Sequence, residues 1–185
     1  MTVNVVCMKW GSAYDATYVN KLFYMVKRNL PIDFRFICIT DDSWGIVREV
    51  ECVALPDLPM QEPYASRAWK KLLLFSKNLG KISGKTLFLD LDIVIVDKID
   101  CFFTETDNSF HIIKDWGQRE KDCIVGNSSV FLFEFGKYPH IFEDFAKNME
   151  LVFKNHRNEQ TYISRIIKDI NFWPEEWVKI GRAHV

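Results

Sequence analysis

The sequence has no hydrophobic run close to the roughly 18–20 residues that a transmembrane helix needs, so we expect no transmembrane segment. Its first residues, Met1 to Asn4, lack the basic stretch that opens a signal peptide. The net charge is only −1, from 24 basic and 25 acidic side chains, which gives no electrostatic basis for binding nucleic acid. None of the five cysteines forms a CxxC pair. We therefore expect reduced core cysteines in a cytoplasmic protein.

The composition is that of one globular domain. The chain has 185 residues, of which 48% are hydrophobic and 15% aromatic, and this is enough to bury a sizeable core. No internal repeat or low-complexity linker divides it. We expect a single domain over residues 1–179.

The order of apolar segments predicts an α/β fold. The chain opens with a predicted strand, a helix capped by Asp15 and a second strand, which favours a parallel βαβ start. We therefore expect a mostly parallel central sheet with helices on both faces. The predicted strands are Val3–Met8, Phe34–Thr40, Val50–Leu55, Lys85–Val96, Phe110–Ile113 and Ser129–Phe133. The predicted helices are Ala16–Leu30, Arg67–Phe75, Pro139–Asn148 and Glu159–Ile167.

The stretch from Lys85 to Val96 carries the strongest functional signal. Apolar residues precede Asp90 and follow Asp92, so the stretch is typical of a strand buried on both faces. Residues two apart on a strand point the same way, and two buried carboxylates need a partner. A divalent cation would be such a partner, and it would bind a phosphate-bearing ligand at the same site. The alternative is a pair of polar residues where the strand leaves the core.

Polar groups follow three of the predicted strands. These are Lys9-Trp10, Asp41-Asp42 and Asp90-Asp92, and ligands of parallel sheets bind beyond the carboxyl ends of the strands. Their convergence predicts a nucleotide pocket, although Asp41-Asp42 alone is also typical of a plain turn.

Two predicted helices supply further candidate site residues. Arg67, Lys70 and Lys71 could face a diphosphate, or at least one lysine could belong to a solvated face. Glu159 and Gln160 lie in a first turn, where an acid also simply favours a helix start.

In order, the blocks are a βαβ start, a basic helix, an hhhDxDhhh strand, an Asn-Ser-Ser strand and a helix beginning Glu-Gln. This order resembles the GT-A type nucleotide-diphospho-sugar transferases, especially the bacterial relatives of the glycogenin-like family eight. The resemblance covers nearly the whole chain. It implies a Rossmann-like GT-A sandwich and the transfer of a sugar, with retention, from a UDP-sugar to a glycan-type acceptor.

The resemblance also implies roles for particular residues. Asp90 and Asp92 would hold Mn²⁺ or Mg²⁺ on the donor diphosphate, and Glu159 and Gln160 would be the catalytic pair beside the anomeric carbon. The remaining donor-binding residues would be Lys9, Trp10, Gly11, Asp41, Arg67, Lys70, Leu91, Asn127 and Ser128. Of these, Asp41 and the loop from Lys9 would line the uridine, and Asn127 and Ser128 would face the donor sugar.

The sequence departs from the family pattern in two places. Glu159 stands where the family usually has aspartate, and its extra methylene displaces the carboxylate. The family also takes a histidine metal ligand from a later segment. Here residues Ile180 to Val185 match what one frame of a sequencing adapter encodes. We therefore expect a non-native tail at 180–185, a domain whose C-terminal part is missing, and poor sugar transfer. The alternative is a natural polar tail.

Rival interpretations come from other classes of protein. A haloacid-dehalogenase phosphatase also has a DxD motif, but on its N-terminal strand and followed by Gly-Thr, whereas Ile93-Val94 follow it here. A sugar-nucleotide pyrophosphorylase would need a Gly-rich basic loop after the first strand, which Lys9 to Ser12 does not provide. A nucleotide-sugar-binding pseudoenzyme, or an inactive fragment, is the non-enzyme alternative.

Overall fold

A seven-stranded sheet forms the centre of the chain, which the computed structural model describes over residues 2–65, 67–120 and 123–179. The strands are β1 Val3–Lys9, β2 Phe34–Thr40, β3 Glu51–Ala54, β4 Gly84–Leu89, β5 Phe110–Glu120, β6 Cys123–Phe135 and β7 Ile170–Phe172. The α-helices are α1 Ala16–Asn29, α2 Cys101–Thr104, α3 Pro139–Lys147, α4 Met149–Asn155 and α5 Glu159–Ile166, and a 3-10 helix spans Ala68–Phe75.

The βαβ start forms as the sequence predicts. Asp15 caps α1 by accepting a hydrogen bond of 2.9 Å from the backbone N–H of Thr17. The helix buries one apolar stripe, made of Val19, Leu22, Phe23 and Val26. β1 then pairs with β2 in parallel, with Val3 opposite Phe34 and Lys9 opposite Thr40. The first predicted strand is one residue longer than expected.

The sheet order is β3-β2-β1-β4-β6-β5-β7, and only β6 runs against the others. The carboxyl ends of β1, β2 and β4 therefore lie at one edge of the sheet. Because β6 has the opposite direction, its amino-terminal half lies at that same edge. This polarity brings Gly126 to Ser129 next to the residue that follows β4.

Two apolar clusters cover the two faces of the sheet, as a sheet with helices on both faces requires. One cluster contains Trp69 and Leu72 of the 3-10 helix, Phe145 of α3 and Ile163 of α5, packed on Phe88 and Phe131. The other contains the buried stripe of α1 with Phe102 and Phe103 of α2. The expected α/β architecture is therefore confirmed.

The predicted strand from Lys85 to Val96 is shorter than expected, and this part of the prediction is wrong. β4 ends at Leu89. The backbone N–H of Asp90 still donates to Ser129 O at 2.9 Å, and the chain then turns out of the sheet. Val94 and Val96 are 73% and 89% exposed. Two carboxylates at the strand end favour solvent over a continued buried strand, so Asp90 and Asp92 do not share a strand face.

Other boundaries differ in smaller ways. The expected helix at Arg67–Phe75 is a 3-10 helix that begins at Ala68. β5 and β6 are longer than predicted, so that Gly126 to Ser128 lie inside β6 instead of before it. α4 and β7 were not predicted. Ser66 and the expected tail at 180–185, with His184, lie outside the described residues. Within the described chain, no helix has the length and apolarity needed to cross a membrane.

Candidate active site

The ends of β1, β2 and β4 meet, as predicted. The backbone N–H of Gly11 donates to Asp41 Oδ2 at 2.8 Å, and Lys9 Nζ donates to the Asp42 carbonyl at 3.1 Å. The hydroxyl of Tyr14 lies 3.4 Å from Asp92 Oδ2. The loop after β1 therefore contacts both neighbouring strand ends.

The backbone conformation of residue 11 favours glycine. Its φ is +62°, in the left-handed region that a Cβ disfavours. This conformation aims the backbone N–H at Asp41, so that the carboxylate of β2 fixes the loop of β1. Asp41 is exposed.

A buried lysine lies directly beside Asp90. Lys71 Nζ is 2.8 Å from Asp90 Oδ1 and 2.9 Å from Oδ2, and the lysine side chain is only 7% exposed. Lys71 also donates to the carbonyl and hydroxyl oxygens of Ser128, at 3.2 Å and 3.3 Å. The ammonium lies 5.3 Å from the centre of the Phe88 ring. Asp90, whose side chain is 24% exposed, is therefore held in a partly buried ion pair with Lys71.

The same network reaches the start of α5. Ser128 Oγ donates to Glu159 Oε1 at 2.6 Å, and Lys71 Nζ lies 3.9 Å from that oxygen. The backbone N–H of Ser128 donates to Gln160 Oε1 at 3.3 Å, and Gln160 Nε2 donates to Asp115 Oδ2 at 2.8 Å. Both ends of the Gln160 amide are therefore engaged. The predicted pair Glu159-Gln160 lies next to the residue that follows β4.

A bulge in β6 explains how Ser128 reaches Lys71. Opposite β5, the partner changes from Phe131 at Ile112 to Asn127 at Ile113, so residues 128–130 bulge out of the ladder. Such bulges redirect side chains and often lie beside functional sites. Gly126 is needed next to the bulge, because a Cβ there would lie 2.7 Å from Ile112 Cδ1 and Cγ2.

The electrostatics of the edge follow from burial. Burial raises the pKa of the Asp90 carboxyl above its usual value, and the Lys71 ammonium acts against that rise. Burial also raises the pKa of the Tyr14 hydroxyl, with a further contribution from the Asp92 carboxylate. Tyr14 is therefore a hydrogen-bond donor toward Asp92 at neutral pH.

The other predicted donor-binding residues lie at different places around the sheet edge. Lys70 Nζ donates to the Ala65 carbonyl at 2.7 Å, and the exposed Arg67 lies over the Tyr64 ring at 5.9 Å. Neither has a described contact with Asp90. Leu91 is buried among apolar side chains, and Trp10 packs partly against the core. Asn127 Oδ1 accepts from the N–H of Ser129 at 3.0 Å, inside the bulge.

Two residues of this edge, Tyr14 and Asp115, were not among the sequence candidates. Lys71 was considered together with Arg67 and Lys70 as a basic group facing a diphosphate, but only Arg67 and Lys70 were kept as predicted donor-binding residues. The signal for Lys71 is its place in the basic helix, and the signal for Tyr14 is its place in the loop after β1. Asp115 belongs to no motif, so the sequence gives no signal for it.

The donor set of the edge fits a hard divalent cation that keeps several non-protein ligands. Within residues 2–65, 67–120 and 123–179, no group of three or more His, Cys, Asp or Glu side chains could hold a metal. Mg²⁺ commonly takes only one or two carboxylates, with water and substrate phosphates as its other ligands. Asp90 and Asp92 can supply those carboxylates.

Comparison with solved structures assigns the fold to a known class. The seven-stranded sheet with helices on both faces is the α/β fold of the GT-A glycosyltransferases. Neither a family model nor a curated protein matches the chain. At 13–15% identity, the structural neighbours described next establish the fold alone.

Three crystal structures are among these structural neighbours. The galactosyltransferase LgtC, in complex with donor and acceptor sugar analogs, has a TM-score of 0.67 and 14% identity, over 93% of this chain and 73% of that one. An active-site mutant of LgtC with glutamine replaced by glutamate has a TM-score of 0.65 and 15% identity, over the same shares. The glycosyltransferase GlyE of Streptococcus pneumoniae TIGR4 has a TM-score of 0.65 and 13% identity, over 94% of this chain and 46% of that one.

Proposed function

We propose that the chain is a glycosyltransferase that moves a sugar from a nucleoside diphosphate donor, such as a UDP-sugar, to a glycan-type acceptor. One observation carries the proposal. At the sheet edge where GT-A folds bind ligands, Lys71 and Ser128 join the DxD carboxylate Asp90 to the buried carboxylate Glu159. A structural ion pair alone would not need a second carboxylate from a distant helix.

The nucleotide half of the donor would bind on the loop after β1. Lys9, Trp10 and Gly11 lie there, and Asp41 fixes the loop through the N–H of Gly11. Asp90 and Asp92 would face the diphosphate and hold Mn²⁺ or Mg²⁺. Such a cation would neutralise the negative charge that builds on the departing diphosphate. Support comes from LgtC, which was crystallised with donor and acceptor sugar analogs.

The sugar half would lie toward β6 and α5. Asn127 and Ser128 would face the sugar, and the Glu159 carboxylate, oriented by the Ser128 hydroxyl, would stabilise positive charge on an oxocarbenium-like ring. Asp115 and the Ser128 N–H fix the amide of Gln160 beside it. A glutamine also belongs to the active site of LgtC. Retention of configuration is part of this proposal.

A second candidate is a nucleotide-sugar-binding protein without turnover. One observation favours it: Glu159 and Gln160 are only 5% and 8% exposed, so a sugar has little direct access to either side chain. The two candidates share the donor site and differ in chemistry. Binding without release of nucleotide would therefore select the second.

The test is a thermal-shift screen of nucleotide sugars, each with Mn²⁺ and with a chelator. We expect a UDP-sugar to raise the melting temperature only when the cation is present. The donor so identified is then incubated with the protein, and free UDP is quantified. Release of UDP above the protein-free rate supports the transferase. Stabilisation with no UDP release supports the binding protein, and no stabilisation by any nucleotide sugar contradicts both.

A further inference from the structure

Lys71 is a deeply buried charge at the sheet edge. Its side chain is 7% exposed, and its ammonium lies against the Phe88 ring on one side. Burying an ammonium is unfavourable unless it is paired and hydrogen-bonded. Lys71 meets this condition with two oxygens of Asp90 and two of Ser128. The site is therefore built around a fixed positive charge.

The Lys71 ammonium lies near two carboxylates from different elements. Asp90, which follows β4, is 2.8 Å from Lys71 Nζ, and Oε1 of Glu159, at the start of α5, is 3.9 Å from it. Ser128 connects them, because its hydroxyl lies 3.3 Å from Lys71 Nζ and donates to Glu159 at 2.6 Å. Without Lys71, the partly buried Asp90 and the buried Glu159 would lose the ammonium that lies near both carboxylates.

We propose that Lys71 is a positioning residue that acts as a built-in counter-cation. It holds Asp90 and Glu159 in place while no divalent cation is bound, and it lowers the affinity of the Asp90–Asp92 pair for that cation. The inference rests on the proposed function for the identity of the metal site. It goes beyond that function by giving this residue a role in metal affinity.

The sign of the effect follows from charge. A divalent cation on an Asp90 oxygen would lie a few ångströms from an ammonium that contacts the same carboxylate. Like charges at such a distance repel, and burial weakens the screening by water. Removing the ammonium while keeping the side-chain length should therefore strengthen binding of the free cation. A residue that only shaped Asp90 would have the opposite effect, because its loss would disorder a ligand.

The experiment titrates Mn²⁺ without nucleotide and follows the signal of the free ion by electron paramagnetic resonance. Lys71→Met is expected to bind Mn²⁺ at least about tenfold more tightly than the natural chain. Lys71→Arg keeps the charge and should stay within about threefold of the natural affinity. Lys85→Met is the matched control, because Lys85 also has a half-buried ammonium on carbonyl oxygens, at the other end of β4. It should leave Mn²⁺ affinity unchanged.

The Lys71→Met chain could fail to fold, since it leaves Asp90 and Glu159 unpaired. In that case Lys71→Met is combined with Glu159→Gln and compared with Glu159→Gln alone, and the double variant should again bind Mn²⁺ more tightly. Equal or weaker binding after loss of Lys71, in either background, overturns the proposal. Failure of every nucleotide sugar to bind the natural chain would instead contradict the proposed function, and the Mn²⁺ comparison would still decide the role of Lys71.

Discussion

The hydroxyl of Ser128 donates a hydrogen bond of 2.6 Å to Oε1 of Glu159, across 31 residues of chain. Ser128 lies in the bulge of β6 and Glu159 begins α5, so this contact fixes the helix start against the sheet edge. Both residues are buried, at 1% and 5% exposure. The position of the Glu159 carboxylate is therefore set by the sheet and not by the helix alone.

Glu159→Gln should separate donor binding from chemistry. The amide keeps an acceptor for Ser128 but removes the charge that would stabilise an oxocarbenium-like sugar. We expect UDP release from the donor to fall by about 10²–10³-fold, while the affinity for UDP with Mn²⁺ changes by less than about threefold. Glu150→Gln, at an exposed acid of α4, is the matched control. An unchanged rate in Glu159→Gln would remove this residue from the chemistry.

Asp92→Asn should weaken the dependence of UDP binding on the cation. For the natural chain, calorimetry should show at least about a tenfold loss of UDP affinity when a chelator replaces Mn²⁺. In Asp92→Asn we expect a difference below about threefold, because one of two carboxylate ligands has lost its charge. Asp97→Asn, in the same exposed loop, should behave like the natural chain. Equal UDP affinity with Mn²⁺ and with chelator in the natural chain would contradict the metal role of Asp90 and Asp92.

Gly126→Ala should destabilise the fold through a single overpacked contact. The new Cβ would lie 2.7 Å from Ile112 Cδ1 and Cγ2, so the Ile112 side chain or one of the two strands must shift. We expect the free energy of unfolding, measured with denaturant, to fall by about 1–3 kcal/mol. Ile112→Ala opens space for the new Cβ. The double variant should therefore lose at least about 1 kcal/mol less unfolding free energy than the sum of the losses in the two single variants. Strict additivity would mean that the contact is relieved elsewhere.

Tyr138 should make stability fall at high pH. Burial, together with the Asp169 carboxylate that its hydroxyl contacts at 3.3 Å, raises the pKa of Tyr138 to about 12. A phenol whose pKa is higher in the folded than in the unfolded state contributes its full stabilisation below the unfolded pKa, near 10. This contribution to the free energy of unfolding is lost as the pH rises to about 12.

The measurement for Tyr138 compares the natural chain with Tyr138→Phe in denaturant at several pH values. The difference in unfolding free energy should be constant below about pH 9 and should shrink by about 2–3 kcal/mol between pH 10 and 12. Asp169→Asn should retain the larger part of this fall, since burial is the main cause of the shift. A difference that does not vary with pH would show that the hydroxyl titrates alike in both states.

Much of the fold could be predicted from local signals in the sequence. β1, α1 and β2 follow from apolar spacing, from the Asp15 cap and from Pro31, which are all local signals. The end of β4 was missed because apolar residues resume after Asp92. Val94 and Val96 are nevertheless exposed, because a run of apolar residues in the sequence does not show which of them contact the core.

The sequence singled out the carboxylates that gather at this edge, but it did not decide which lysine pairs with them. Lys70 and Lys71 are adjacent, and only the geometry of the 3-10 helix decides which of them enters the core. A 3-10 helix turns each residue about 120° from the last, so a shift of one position moves the ammonium from Ala65 to Asp90. Asp115 was missed because its partner, Gln160, is 45 residues away, and no local pattern records such a contact.

The single reversed strand also determines when the site can exist during folding. The parallel strands β1 to β4 can supply Asp90 and Asp92, but Ser128 and Glu159 arrive only after β6 has paired beside β4. Lys71 is 19 residues from Asp90 and 57 from Ser128. Contacts between such distant segments form slowly, because the chain between them must first be ordered. We therefore expect the complete edge to be among the last parts of the molecule to assemble, so that a partly folded chain would hold the aspartates without the residues that orient them.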